Sequence, residues 1–498
     1  MPGLGTTYGR GGATTAPSDL VHSDAILIMG SNMAENHPVA FQWVIEARER
    51  GARVIHVDPR FTRTSAMADL WVPLRAGSDI VLLGALVRYV LEERRDFREY
   101  VLHYTNAPVV LRDDMRDTED LDGVFSGWDP VAQRYDATTW AYAAGPEGAT
   151  GYQQDLTLQH PRCVYQVLRR HFARYTPELV ERACGVPPAL FLDLAEAFCS
   201  ASGPEKTGSI CYALGWTQHS KGVQMIRAAA MLQLLLGNVG RPGGGVNAFR
   251  GHSNIQGATD IAGTFEILPG YLKTPSGPHQ TLADYLKEAT PTTLNGTVWP
   301  SMNYWSNYPK FMVSLLKAQY GKNATKENDW GYSWLPKIDG NHSWMYIFDD
   351  MYRGSSTRAG GKEPGPEGLI TFGMNPVGIG PNVPKMIAAL SKLKWLLVVE
   401  NYEIETATFW KAPKEYGTAD ASKIPTEVYQ LPASGFAEKD GTFINSARWM
   451  QWKWKAIDPP GQAKTDQEIM ARIFLAVRDL YKKEGGAFPE AVANVSWS

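Results

Sequence analysis

Residues 25–58 read AILIMGSNMAENHPVAFQWVIEARERGARVIHVD. The first six form a continuous apolar run that ends in Gly30, the pattern of a strand buried in a parallel sheet. Residues 37–50 predict a helix, with Pro38 acceptable in its first turn. Residues 53–58, RVIHVD, predict the next strand, which ends in Asp58. Residues 78–95 then predict a strongly apolar helix, N-capped by Ser78 or Asp79. Strand, helix, strand and helix at this spacing open a doubly wound α/β sheet.

Outward from this stretch the pattern breaks and returns. Residues 1–20 read as a Gly/Thr-rich loop, and residues 106–160, polar and aromatic, as an excursion from the sheet. Helices follow at 163–175, 177–184 and 188–200, then a strand at 209–216. Residues 221–236 are apolar on nearly every face and predict a buried helix. A second irregular region, dense in Trp, Tyr and Asn, spans 258–345, and 354–368 reads as a turn or linker. Strands are then predicted at 369–373, 394–400 and 427–431, with a helix at 383–393. Residues 438–455 read as irregular β structure, and 466–483 as an amphipathic helix capped by Thr465.

The two strand-rich regions resemble each other. ILIMGSNMAENHP, VIHVDPRFTRTS and DLWVPLRAGSD in the first answer LITFGMNPVGIGPN, LLVVENYEIETA and EVYQLPASG in the second. Asp58 precedes Thr64 by six residues, and Glu400 precedes Thr406 by six. A glycine at a strand end lets backbone N–H groups approach a diphosphate, and an acidic residue at the next strand end accepts from ribose or guanine N–H groups. Neither copy carries the GxGxxG fingerprint, which argues against NAD. The expectation is a nucleotide-bearing ligand at each copy. The expected fold class is α/β, with two pseudo-symmetric Rossmann-like parallel-sheet domains and irregular insertions. Their expected extents are 1–257 (insertion 106–160) and 258–437, followed by an irregular β segment and helix at 438–498.

Residues 240–257, GRPGGGVNAFRGHSNIQG, carry the densest set of dissimilar polar side chains. Gly243, Gly244 and Gly245 permit a sharp turn or close approach to a large ligand. Arg250 presents a planar fork of donors that matches a carboxylate, followed by His252, Ser253, Asn254 and Gln256.

Composition narrows the class. A chain of 498 residues, 44% hydrophobic and 20% charged, fits a globular enzyme of two to four domains. A net charge of −3 supplies no basic field for nucleic acid or anionic membrane. No apolar run approaches the ~18 residues of a membrane span, so direct membrane insertion is not expected. The start, MPGLGTTYGRGG, has neither signal- nor transit-peptide character. The four cysteines form no CxxC pair and the ten histidines no HExxH, so no structural zinc or iron–sulfur site is encoded. Cys199 and Cys211 lie in apolar segments and are expected in the core. Sixteen tryptophans suit a large buried ligand or wide interfaces.

GSNMAENHP, VDPRFTRTS, RAGSD, YALGWTQHS, GGGVNAFRGHSNIQG, FGMNPV and EKDGTFINSARWMQW together resemble the molybdopterin oxidoreductases of the DMSO reductase family. RGHSNIQG and ENYEIETATFW narrow the resemblance to the large (alpha) subunits of formate dehydrogenases, of the N type and the periplasmic molybdenum- or tungsten-containing type. The resemblance covers the whole chain. It implies a bis(molybdopterin guanine dinucleotide) cofactor carrying Mo or W. By motif, one dinucleotide falls to Gly30, Asn32, Glu35, Asp58, Arg60, Thr62, Gly77 and Asp79, closed by Gly215, Trp216 and Gln218, with Gln256 also at the cofactor. The other falls to Gly373, Asn375, Glu400 and Thr406, although Glu400–Asn401 stands where many relatives carry Asp-Pro. Arg250 corresponds to the arginine that holds formate beside the metal. His252 either assists with polarity and proton traffic or serves structurally. The reaction implied is oxidation of formate to CO₂ or its reverse, with electrons leaving through an iron–sulfur beta subunit and in some relatives a cytochrome subunit.

Family members begin with a 4Fe–4S domain and a selenocysteine or cysteine that ligates the metal, and end in a further β-rich domain. None of these is present here. The expectation is therefore a catalytic-subunit fragment, inactive alone, with the metal ligand encoded just upstream of Met1 at an in-frame UGA codon. The location implied is periplasmic, with cytoplasmic as the alternative. Two other readings stand beside it: a different molybdopterin oxidoreductase such as a nitrate reductase, and a non-catalytic α/β module that binds a nucleotide or a partner.

Overall fold

The computed structural model describes residues 2–9, 11–146, 151–290, 305–356, 363–412, 420–446 and 449–496. Part of the predicted turn at 354–368, and Ala447 and Arg448 of the EKDGTFINSARWMQW stretch, lie outside the described residues. The chain divides into two compact units. Of the described residues, those up to Gln256 and those within Ile444–Met450 form the first, and the rest form the second.

The first unit opens with a helix, α1 (Pro2–Tyr8), where the composition predicts a loop. Gly and Thr are poor helix formers, but packing overrides propensity here. Gly3 lies so close to the later helix that a Cβ on it would sit 2.8 Å from the Ile226 side chain. The Tyr8 hydroxyl also donates to the Ala230 carbonyl at 3.0 Å. There follow β1 (Ala25–Met29), the short helix α2 (Met33–Asn36), α3 (Pro38–Glu49), β2 (Arg53–Val57), α4 (Arg63–Ala66), β3 (Leu70–Val72) and α5 (Asp79–Glu92). The excursion predicted at 106–160 holds a small antiparallel pair, Trp128–Asp129 with Arg134–Tyr135, a short 3-10 helix at Ala137–Thr139 and isolated bridges among its described residues. The sheet resumes with β4 (Gly208–Tyr212), the helical turn α6 (Leu214–Thr217), α7 (Gly222–Leu235) and β5 (Gly245–Ala248).

These strands form one parallel sheet in the order β3-β2-β1-β4-β5. Leu27 faces Ile55 on one side and Ile210 on the other, and Ile210 faces Val246. The chain winds outward from β1 to β3, then returns to lay β4 on the opposite side of β1. That reversal is the switch point of a doubly wound sheet, where the strand ends on either side diverge into a crevice. Leu27 and Ile55 pack against Leu82, Leu86 and Ala229 on one face, while Ile26, Ile28 and Val54 pack against Phe41 and Val44 on the other. A parallel sheet covered on both faces explains the unbroken apolar run of β1, all five residues of which are buried.

Two expectations need correction here. The strand predicted at 209–216 stops at Tyr212, because the Ala213 and Gly215 amides turn to donate to the Gly30 carbonyl, at 3.2 and 3.0 Å. The helix α7 is not buried all round: Val223, Gln224 and Arg227 are exposed near its start.

In the second unit, 258–345 is less irregular than its composition suggests. A helix at Leu282–Ala289 and α8 (Tyr308–Tyr320) enclose a small core around Tyr285, Tyr308, Tyr320 and Tyr332. Tyrosine is tolerated there because the hydroxyls of Tyr285, Tyr308 and Tyr332 find partners. Tyr285 and Tyr308 bond each other at 2.8 Å, Tyr285 donates to the Lys273 carbonyl, and Tyr332 to that of His279. The α/β pattern follows as α9 (Trp344–Arg353), β6 (Gly368–Phe372), α10 (Pro376–Ile379), α11 (Val383–Leu390), β7 (Trp395–Glu400) and β8 (Glu427–Pro432). The three strands are parallel, with Ile370 facing Leu397 and Leu397 facing Tyr429. Thr465 caps the last long helix, α12 (Asp466–Glu484), by accepting from the Glu468 amide at 3.2 Å. All four cysteines are buried, and burial pushes the Cys199 thiol up to about 12.

Candidate functional site

In the first unit, several of the predicted residues meet at the switch point. Gly30 follows β1 with φ +69°, a left-handed backbone that glycine adopts without strain. A Cβ there would lie 2.7 Å from the Trp216 ring, and a Cβ on Gly215 would lie 2.6 Å from the Gly30 carbonyl. Both glycines are therefore required by close approach of β1 and β4. Trp216 is fully buried and donates its indole N–H to Asp79 Oδ1 at 3.1 Å. Asp79 begins α5 after Gly77, and burial raises its carboxyl above the ordinary range. The indole bond and the nearby His219 act against that shift. Gln218 stays exposed at the end of α6.

Asn32 sits in the loop after Gly30. Its amide donates to the Glu35 carboxylate, and its Oδ1 accepts from the Thr64 hydroxyl at 2.8 Å. Asp58, at the end of β2, accepts from the Arg60 amide at 2.8 Å. The Arg60 side chain itself is exposed. Thr62 forms a reciprocal cap with Ser65 at the start of α4. His56, wholly buried beneath this loop, accepts from the Ser65 hydroxyl at 2.8 Å and donates to the Ser31 carbonyl at 3.2 Å. Burial lowers its pKa, against the pull of Asp58 3.8 Å away.

Arg250 lies two residues beyond β5 and is held by its main chain. Its amide donates to the Ser446 hydroxyl at 3.0 Å, and its carbonyl accepts from His37 Nε2 at 3.3 Å. One guanidinium Nη donates to the Gly11 carbonyl at 2.6 Å, while the buried Nε has no partner among the described residues. Asn254, with φ +58°, accepts from the Ile444 amide at 3.0 Å. Gln256 is buried. His252 is exposed, and its Nδ1 donates to the neighbouring Ser253 carbonyl at 2.6 Å. Among the described residues no hydrogen bond joins its side chain to that of Arg250.

In the second unit, Gly373 follows β6 with φ +56°. Asn375 Oδ1 accepts from the Thr406 hydroxyl at 2.8 Å, and its amide donates to Glu405 at 2.6 Å. Thr406 is fully buried, so its hydroxyl supports Asn375 rather than facing solvent. Glu400 ends β7 and accepts from the Asn401 amide at 2.9 Å. A pocket of about 360 Å³ opens beside this loop, lined by Val377, Gly378, Val383, Ile387, Glu405 and Phe409 among others. A larger pocket in the first unit, about 590 Å³, is lined by Thr14, Thr15, Asp19, His22 and Trp449 among others, and by none of the predicted site residues.

Sequence reasoning does not single out Thr64, His219, His37, Ser446 or Glu405. The first had a signal, the six-residue spacing from Asp58, and His219 adjoins Gln218 in a quoted stretch. The other three lie in quoted stretches as well, His37 in GSNMAENHP, Ser446 in EKDGTFINSARWMQW and Glu405 in ENYEIETATFW. Among the described residues there is no cluster of three metal-ligating side chains, and no helix is long and apolar enough to cross a membrane.

The sheet order and the glycine loops at the strand ends place this chain among the doubly wound α/β proteins. Comparison with known proteins carries this further. The family model described as molybdopterin oxidoreductase matches residues 6–345. The chain belongs to the molybdopterin oxidoreductase family, and membership implies a molybdopterin cofactor with Mo or W.

Among curated relatives, it is 46% identical over 496 residues to the major subunit of the nitrate-inducible formate dehydrogenase of Escherichia coli strain K12, covering 99% of this chain and 47% of that one. It is 45% identical over 497 residues to formate dehydrogenase 2 subunit alpha (cytochrome c-553) of Nitratidesulfovibrio vulgaris, again covering 99% of this chain and 47% of that one. The chain thus spans about half the length of the curated relatives it matches. Among solved structures, acetylene hydratase from Pelobacter acetylenicus aligns with a TM-score of 0.51 at 16% identity, covering 96% of this chain and 50% of that one. At that identity the likeness shows the fold alone.

Proposed function

We propose that this chain is part of the catalytic subunit of a formate dehydrogenase, which converts formate to CO₂ with release of one proton and two electrons. The observation that carries the reading is Arg250. Its main chain is fixed at two points, one Nη is anchored, and its buried Nε–H lacks a partner among the described residues. A buried donor left unsatisfied is costly. A carboxylate that accepts from Nε and the adjacent Nη satisfies it with two charge-assisted bonds. Likeness to relatives named formate dehydrogenase supports formate as that carboxylate.

The first unit fits a dinucleotide-bearing molybdopterin. The buried hydroxyl of Ser31, the residue after Gly30, has no partner among the described residues. In this reading Gly30 and Asn32 hold the phosphates, and Asp58 and Asp79 accept from ribose or guanine N–H groups. Arg60, Gly77, Gly215, Trp216 and Gln218 enclose them. Gly373, Asn375 and Glu400 hold a second dinucleotide in the second unit. A bound metal centre would supply the two-electron acceptor. Arg250 orients formate and balances its charge while the proton is released. An iron–sulfur partner subunit that takes the electrons, and a periplasmic setting, belong to the same reading.

The test is Arg250→Lys in the full-length protein, by formate-dependent dye reduction beside cofactor content. Lysine cannot reproduce the fork. A loss of about 2–5 kcal/mol in transition-state stabilisation, with cofactor content unchanged, is expected. Near-wild-type turnover in the variant, or a wild-type protein that reduces nitrate and ignores formate, removes the assignment.

A further inference from the structure

The two units share a hydrogen-bond circuit more alike than their sequences. In the first, the Thr64 hydroxyl donates to Asn32 Oδ1 at 2.8 Å and accepts from the Ala34 amide at 3.0 Å. In the second, the Thr406 hydroxyl donates to Asn375 Oδ1 at 2.8 Å and accepts from the Val377 amide at 3.1 Å. In both, the amide belongs to the residue two beyond the asparagine, and the asparagine stands two beyond the strand-end glycine. Each threonine comes from the segment after the acidic strand end, six residues on, and each is completely buried. GSNMAE and GMNPVG share only glycine and asparagine, and DPRFTRT and ENYEIET share only threonine.

We infer that Thr64 and Thr406 are positioning residues, one for each unit, that hold the glycine–asparagine loops open for a guanine dinucleotide. This rests on the proposed reading of those loops. A buried hydroxyl–amide circuit is costly unless every member is satisfied, and an apolar plug would stabilise a loop with less risk. Its presence in two otherwise dissimilar units marks it as something both loops need. The asparagine's other contact differs, with Glu35 from the same loop in one case and Glu405 from the threonine's own segment in the other. What is common is the bond that ties the loop after the first strand to the segment after the second. Those are the two pieces of chain that leave the ends of paired neighbouring strands, β1 and β2 in the first unit and β6 and β7 in the second. With its Oδ1 held by the threonine, the asparagine keeps its backbone, and that of the glycine before it, in one shape.

The test is the count of GMP released by acid from the purified full-length protein. Wild type and the conservative Thr64→Ser and Thr406→Ser variants are expected to release about two per chain, one for each unit. Valine keeps the volume and removes the hydroxyl. Thr64→Val and Thr406→Val are each expected to release about one, while circular dichroism shows a folded chain. If a valine variant fails to fold, Thr64→Ala or Thr406→Ala, which removes the hydroxyl without asking the site to hold a second methyl, takes its place with the same expectation. Folded variants that still release two overturn the inference and leave the dinucleotide reading intact. A wild-type protein that releases no GMP overturns the reading itself, and with it the role given to both hydroxyls.

Discussion

At the scale of single residues, charge and burial make the switch-point loop sensitive to pH. His56 and His37 are both lowered from the ordinary 6.5, burial being the larger cause in each. Below about 6.5 the unfolded chain binds protons that the folded chain refuses, so folding stability falls as pH drops. Stability is full above that value and declines until the lowered folded pKa is passed. His56→Gln removes one of the two contributions. Urea midpoints measured at pH 7.5 and 5.5 are therefore expected to differ less in the variant than in wild type, and an unchanged difference refutes it. Residues of this kind are hard to see in a sequence. His56 occupies a strand position that any apolar side chain could fill, and only its contacts with Ser65 and Ser31 reveal its place. Thr62 and Thr64 show a related difficulty. Both lie in FTRTS, and motif resemblance selects Thr62, which caps a helix, while Thr64, which meets Asn32, is marked only by its spacing from Asp58.

At the scale of elements, the strand ends are where sequence reading succeeds most fully. A parallel strand buried on both faces must be apolar throughout, and its glycine exit is a distinct punctuation. β1 follows that rule throughout, and β1 and β6 both exit into a glycine, whereas β2 and β7 lead into the acidic residues Asp58 and Glu400. The helix at Pro2–Tyr8 and the tyrosine-lined core escape it, because both depend on a distant partner rather than on local period. The two strand-end glycines make a controlled pair. Each has positive φ, but a Cβ on Gly30 strikes the Trp216 ring, whereas nothing lies within 4 Å of one on Gly373. Gly373→Ala meets only the backbone cost, about 1–2 kcal/mol. Gly30→Ala adds overpacking, typically about 1–3 kcal/mol more. Thermal unfolding of the two variants is expected to show Gly30→Ala as clearly the less stable. Equal losses would show that the close approach of Trp216 does not matter.

At the scale of the whole molecule, two units with separate apolar cores imply separate cooperativity. Calorimetry is expected to give a total unfolding enthalpy larger than the van't Hoff value, and a single transition with matching enthalpies contradicts it. The overall α/β class and the duplication of the glycine loop are both legible in the sequence, since each repeats a short pattern at fixed spacing. The return of Ile444 and Ser446 to the loop that carries Arg250 is not, because nearly two hundred residues intervene, as the separations of 190 and 196 positions record. The buried cysteines have a practical consequence. Every thiol of this chain is shielded, and Cys199 is held near 12, far from the range where thiolate forms at neutral pH. The native chain is thus a silent background for maleimide chemistry. One cysteine introduced at exposed Gln218, and another at exposed Tyr402, would each take a fluorophore alone, giving an optical report from either unit without first stripping the protein of its own sulfur.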